Sequence, residues 1–323
     1  MSSDRVYLFD TTLRDGAQTT GVDFSLADKI QITTMLDTLG IDYIEGGYPG
    51  ANPLDTEFFS KKRTKSARFT AFGMTKKIGR SASNDPGIAA LLDSKSDAIC
   101  YVGKAWDYQV RVALEASLED NLDSVRDSVA TAVKAGRETM LDCEHFFDGY
   151  KANPDYALSV AKAAYDAGAR WVVLCDTNGG TLPHEIQHIV GEVIKLIPGN
   201  HLGIHAHDDT GNAVANSFAA IRAGAANPAF LGGILDHLLA DESLLLVFAE
   251  DQQVRRHIVE SAHVPGAESK SGDGLIEYQH CAVLSGQLSR RVQVLPGARQ
   301  QPSAAGGAGG GNSMQKMLHL RRT

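Results

Sequence analysis

Two histidines one residue apart, His205-Ala206-His207, are the sharpest chemical signal in the sequence. They follow the apolar run Leu202–Ile204, and on a strand residues i and i+2 point to the same side. Both imidazoles can therefore face one point. Two imidazoles plus one carboxylate form a divalent-cation face that leaves positions open for substrate. Asp15 is the expected third ligand, and Arg14 beside it can stabilise a developing enolate or oxyanion. Glu144 is expected as a proton-transfer group or an anchor beside that site, its ionisation set by burial against any nearby cation. Thr177 and Asn178 can donate to a substrate carboxylate. Plainer roles compete at each position. The histidines can be hydrogen-bonded core residues, Arg14 can simply pair with Asp10, Glu45 or Glu144, and Thr177 and Asn178 can serve the loop before Gly179-Gly180. For Asp10 and Asp176 a structural role is expected. Asp208 and Asp209 either orient the histidines or cap the next helix.

These side chains need strands to carry them. Short apolar or β-branched runs recur at Val6–Phe9, Tyr43–Ile44, Phe69–Phe72, Ala98–Val102, Thr139–Leu141, Trp171–Leu174 and Leu202–Ile204. Helical patterns lie between them at Leu26–Leu39, Leu118–Ala135, Pro154–Ala167 and Pro183–Leu196. Ser25 caps the first of these, with Asp28 completing a weak capping box, and Gly40 closes it. Alternating strands and helices imply βαβ units on a parallel sheet. Seven such units imply an α/β fold of the (β/α)₈ TIM barrel type, whose strand C-termini converge on one functional face. The polar clusters Asp10–Gly16, Glu45–Gly47, Asp142–His145, Asp176–Gly180 and His205–Asp209 all fall at such ends. An eighth strand is due near residues 226–234, where Pro228, Gly232 and Gly233 make a poor one. Leu231, Ile234, Leu235, Leu238 and Leu239 have helical spacing instead.

The chain has 323 residues, 43% of them hydrophobic and 22% charged, so it can bury a large core. Its net charge of −8 argues against a general grip on nucleic acid or anionic membrane. No apolar run approaches the roughly 20 residues of a membrane span, and the polar N-terminus carries no secretory signal pattern. The four cysteines lack paired spacing and read as buried free thiols in a reducing cytoplasm. Residues 225–323 hold 9 basic and 9 acidic side chains, so the whole net charge resides in 1–224. Of the 22 aromatics only Phe230, Phe248 and Tyr278 lie beyond position 224. The expected organisation is a catalytic barrel portion over 1–224, a divergent segment over 225–295 and a flexible tail over 296–323, whose stretch Pro296–Asn312 is rich in Gly, Ala, Gln and Ser.

The run Asp10-Thr11-Thr12-Leu13-Arg14-Asp15-Gly16, taken with His205-Ala206-His207-Asp208, resembles the metal-dependent barrels that join or split acyl groups and α-keto acids: isopropylmalate, homocitrate and citramalate synthases, and hydroxymethylglutaryl-CoA lyases. The stretches Glu45–Pro53, Glu144–Pro154 and Leu174–Pro183 look most like the citramalate synthase branch, and the likeness runs from about Val6 to Gly224. The resemblance implies condensation of acetyl-CoA with pyruvate to citramalate and CoA. It implies Mn²⁺, Mg²⁺ or Zn²⁺ held by Asp15, His205 and His207, which would grip the keto oxygen and carboxylate of pyruvate. By the same resemblance Arg14 stabilises the enolate oxygen or polarised ketone, Glu144 assists binding or proton transfer, and Thr177 contacts the keto-acid carboxylate. A homodimer is the expected assembly.

Beyond Gly224 the family's eighth strand, its Gly-Glu-Arg-x-Gly-Asn loop and its accessory and regulatory domains have no counterpart. A seam this sharp suits a frame change, a misassembled reading or altered splicing; an uninterrupted transcript across codon 224 with the same tail would count against that idea. The rival readings are an isopropylmalate or homocitrate synthase acting on another 2-oxo acid, a retro-Claisen lyase of the same superfamily, and a catalytically inactive family member.

Overall fold

The computed structural model describes residues 6–19 and 21–225, together with the backbone of Ala229–Phe230. Parallel strands β1 (Leu8–Asp10), β2 (Tyr43–Gly47), β3 (Arg68–Met74), β4 (Ala98–Lys104), β5 (Glu138–Glu144), β6 (Trp171–Asp176) and β7 (Leu202–Ala206) stand side by side in chain order. A two-residue strand, β8 (Ala229–Phe230), pairs its backbone with β7 on one side and β1 on the other and closes the curled sheet. Expectations for the helical segment from Leu231, for the tail and for Cys281 lie outside the described residues.

The strands alternate strictly between two environments. Phe9, Tyr43, Cys100, Met140, Trp171 and Cys175 pack together as one buried cluster within the curled sheet. Residues one step out of phase, such as Ile44, Ile99, Leu141, Leu174 and Ile204, belong to a second buried cluster shared with the surrounding helices. The helices are α1 (Leu26–Leu39), α2 (Pro53–Phe58), α3 (Pro86–Asp93), α4 (Asp107–Ala113), α5 (Leu118–Lys134), α6 (Phe146–Ala152), α7 (Pro154–Asp166), α8 (Pro183–Ile194) and α9 (Ala213–Ala223). Leu36, Val125, Val129, Val160, Ile186 and Val190 face the sheet. Each fully buried side chain of this size stabilises the fold by roughly 1.5–3 kcal/mol before entropy is counted.

Local signals explain the boundaries of α1. Ser25 Oγ accepts from Asp28 N at 3.2 Å and Asp28 Oδ2 accepts from Ser25 N at 3.0 Å, a complete capping box. Gly40 ends α1 at φ 87°, the left-handed region open to glycine. The strands differ from the sequence reading at their C-terminal ends. β5, β6 and β7 run on through Asp142 and Glu144, Asp176, and His205; Asp142, Asp176 and His205 are buried in the sheet, and half-buried Glu144 pairs in register with Lys104 on β4. The short helices α2, α3, α4 and α6 have too few turns to show a period.

Three cysteines, Cys100, Cys143 and Cys175, are buried free thiols as expected. Among the described residues no helix is long and apolar enough to cross a membrane.

Candidate metal centre at the barrel mouth

Asp15 sits in a tight turn just past β1, where the amides of Arg14, Asp15 and Gly16 all donate to the Thr11 carbonyl at 3.0, 2.8 and 3.3 Å. That turn folds Arg14 and Asp15 back over the strand ends. Arg14 Nη1 donates to Asp15 Oδ1 at 2.8 Å and Arg14 Nε donates to Glu45 Oε2 at 2.7 Å. The guanidinium carbon also lies 4.1 Å from the centre of the Phe72 ring, a cation–π seat that fixes the plane of the group. The two pairing options to Asp10 and Glu144 are not used: Asp10 accepts from Thr12 N and Thr12 Oγ1 at 3.1 Å each, and Glu144 pairs with Lys104. Glu45 is fully buried, and burial pushes its carboxyl up to about 7 despite Arg14.

His205 closes the other side. Its Nε2 lies 3.4 Å from Asp15 Oδ2, and its Nδ1 lies 3.7 Å from Asp142 Oδ2. His207, two residues on, stacks its ring on His205 at 4.8 Å with 13° between planes, so the i, i+2 spacing does place both imidazoles together. One donor atom each from Asp15, His205 and His207 lies within 4.8 Å of the others. Burial by itself disfavours an imidazolium, but Asp142 and Asp15 outweigh it and push His205 up to about 10. Asp15, although buried, is held well below the usual carboxylate range by His205 and Arg14. The surroundings thus favour a positive charge at this point. Two imidazoles and an ionised carboxylate converging there fit a divalent cation, which would take the place of the His205 proton.

The remaining expected residues lie along the same rim. Glu144 ends β5 and is tied to Lys104 at the end of β4, outside the donor group of Asp15, His205 and His207. Thr177 follows β6. Its Oγ1 accepts from His145 N at 2.8 Å, leaving the hydroxyl proton to be donated elsewhere. His145 has φ 55°, left-handed, and its Nδ1 lies 3.6 Å from Asp148, which in turn accepts from Asn178 Nδ2 at 2.8 Å. Asn178 is therefore committed to the loop. Asp176 accepts from Thr181 and Asn216 and holds the β6 turn to α9. Asp208 Oδ1 accepts from Ala213 N at 2.8 Å and caps α9, the second of its two expected roles.

Sequence reasoning passed over Asp142 as a partner of the histidines. The signal was available: Asp142 is two residues past Met140, so it shares the inward face of β5.

Comparisons with known proteins define the class to which this barrel belongs. The HMGL-like family model matches residues 5–227, and the chain belongs to that family. Among curated relatives, the (R)-citramalate synthase of Aquifex aeolicus is 50% identical over 226 residues, covering 69% of this chain and 43% of the relative. The (R)-citramalate synthase of Streptomyces coelicolor is 52% identical over 226 residues, covering 69% and 42%. A probable 2-isopropylmalate synthase of Methanopyrus kandleri is 35% identical over 222 residues, covering 69% and 42%. The chain thus matches less than half the length of these relatives. In structure, a hydroxymethylglutaryl-CoA lyase from Pseudomonas aeruginosa superposes with a TM-score of 0.59 at 24% identity, covering 70% of this chain and 76% of that one, which supports the fold. A model for proteins of unknown function (DUF3572) matches residues 213–265.

Proposed function

We propose that the chain is a citramalate synthase-like acyltransferase that condenses acetyl-CoA with pyruvate and depends on a divalent metal. The observation that carries this reading is the convergence of Asp15, His205 and His207 beside an Arg14 held rigid by Glu45 and Phe72. Identity to the two citramalate synthases, 50% and 52%, against 35% to the isopropylmalate synthase, supports pyruvate over a larger 2-oxo acid.

In the overall reaction a methyl proton leaves acetyl-CoA, the methyl carbon bonds to the keto carbon of pyruvate as its C=O π bond opens, the keto oxygen takes up a proton to become a hydroxyl, and water cleaves the thioester to give a carboxylate, free CoA thiol and a released proton. A bound Mn²⁺, Mg²⁺ or Zn²⁺ would supply Lewis acidity and a template for the keto oxygen and carboxylate. Asp15, His205 and His207 would hold it. Arg14 directs its remaining N–H donors at the oxygen that gains negative charge. The Thr177 hydroxyl donates to the pyruvate carboxylate. Glu144 serves proton transfer or binding at the rim, moderated by Lys104. The expected homodimer, the cytoplasmic setting and the division at position 224 belong to the same reading.

A second reading rests on the sequence after Gly224, which holds no Gly-Glu-Arg-x-Gly-Asn loop: a barrel that binds metal and keto acid without turning over. A thiol-release assay separates the two. Release with acetyl-CoA, pyruvate and Mn²⁺, exceeding that with larger 2-oxo acids, supports the first. Binding of Mn²⁺ with no release for any 2-oxo acid supports the second.

A further inference from the structure

We infer that Asp142 is a positioning residue that holds His205 in the tautomer and orientation needed to ligate a divalent ion through Nε2. The inference rests on the reading that Asp15, His205 and His207 hold such an ion.

The two ring nitrogens of His205 face opposite carboxylates: Nε2 is 3.4 Å from Asp15 and Nδ1 is 3.7 Å from Asp142. A ligating imidazole uses one nitrogen for the metal and donates the other N–H to a carboxylate or carbonyl, which fixes the ring and raises its basicity. Asp142 Oδ2 lies on that side of the ring, 3.7 Å from Nδ1, close enough to accept that N–H with a small adjustment of either side chain. Its side chain is almost wholly buried, so it exchanges no partners with solvent. Cys100 Sγ donates to its other oxygen, Oδ1, at 3.3 Å. Asp142 reaches His205 across β6, in the inward-facing layer that also holds Cys175, the register partner of His205.

Asp142, Cys175 and His205 also offer donor atoms within 4.8 Å of one another. An orienting role suits Asp142 better than ligation. The Cys175 thiol is buried and donates to the Val173 carbonyl of its own strand at 3.8 Å. Ligation there would also turn His205 Nδ1 into the donor atom and take the ring away from Asp15 and His207.

The test is Mn²⁺ affinity, read by electron paramagnetic resonance, for the full chain and for Asp142→Asn, with thermal unfolding of both in the metal-free state. Asn keeps the shape and removes the charge. The expected result is affinity weaker by about 10- to 100-fold in a variant that still unfolds cooperatively without metal. Equal affinities would overturn the inference. Absence of Mn²⁺ binding in the unaltered chain would instead overturn the metal reading beneath it. A second measurement needs no variant: in the Mg²⁺-loaded chain with ¹⁵N-labelled histidine, His205 is expected to carry its proton on Nδ1. A proton on Nε2 would contradict the inference even if Asp142→Asn fails to fold.

Discussion

Arg14 Nε donates to the fully buried Glu45 at 2.7 Å, and that bond holds the guanidinium at the end of β1, where Nη1 meets Asp15. The geometry depends on a planar fork with several donors, one edge on Glu45, one on Asp15, and the face over Phe72. Lysine offers a point charge on a flexible stem and cannot reproduce it. Arg14→Lys is therefore expected to lower the rate of CoA release by about 10²–10³-fold, the usual effect of removing one donor to a developing oxyanion. Steady-state kinetics at saturating Mn²⁺ check this; a rate within a few-fold of the unaltered chain would remove Arg14 from the chemistry.

The left-handed backbone of His145, φ 55°, sets the amide that donates to Thr177. Glycine adopts this region readily, whereas a β-branched residue there is strained by roughly 1–2 kcal/mol. His145→Val is expected to destabilise the fold by about that amount more than His145→Gly does, measured by urea denaturation. Equal stabilities of the two variants would show that the backbone conformation costs nothing at this position.

Asp37, near the end of α1, accepts from the amides of Lys65, Ser66 and Ala67 at 2.7, 2.9 and 2.7 Å and so ties α1 to the start of β3. Burial alone would raise its carboxyl, but these amides outweigh it and hold Asp37 below the usual range. A depressed folded-state pKa gives stability that is present above the unfolded pKa and lost as pH falls through the folded one. Asp37→Ala is expected to cost about 1 kcal/mol at pH 7, discounted for partial exposure. The gap between the two chains should narrow as the pH drops below the ordinary Asp value of about 3.9. Urea titrations across that range check the sign: a gap that widens on acidification would contradict it.

Much of the site was legible because its signals are local and periodic. His205 and His207 are spaced two apart at the end of an apolar run, and the Arg14-Asp15 turn follows a strand, so a barrel places them at one mouth. Asp142 was harder to read because the apolar run stops at Leu141. The strand continues under Asp142 and Glu144 only because neighbouring strands supply pairing partners that a linear reading does not contain. Helix α9 was obscured for a related reason: it buries Ala213, Asn216, Ser217, Ala219 and Ala220 while Phe218 stays exposed, so close packing on α8 and β7 selects small residues and hides the usual apolar stripe. The choice between Glu45, Asp10 and Glu144 as the partner of Arg14 depended on tertiary geometry alone.

Mn²⁺ binding by the unaltered chain and by His207→Ala tests the central claim most directly, with circular dichroism to confirm that both are folded. The expected result is one tightly held ion per chain, lost or weakened by more than about 100-fold in His207→Ala, since removal of a ligand should cost more than removal of a group that merely orients one. No specific ion in the unaltered chain, or equal binding in the two, would contradict a metal centre built from Asp15, His205 and His207.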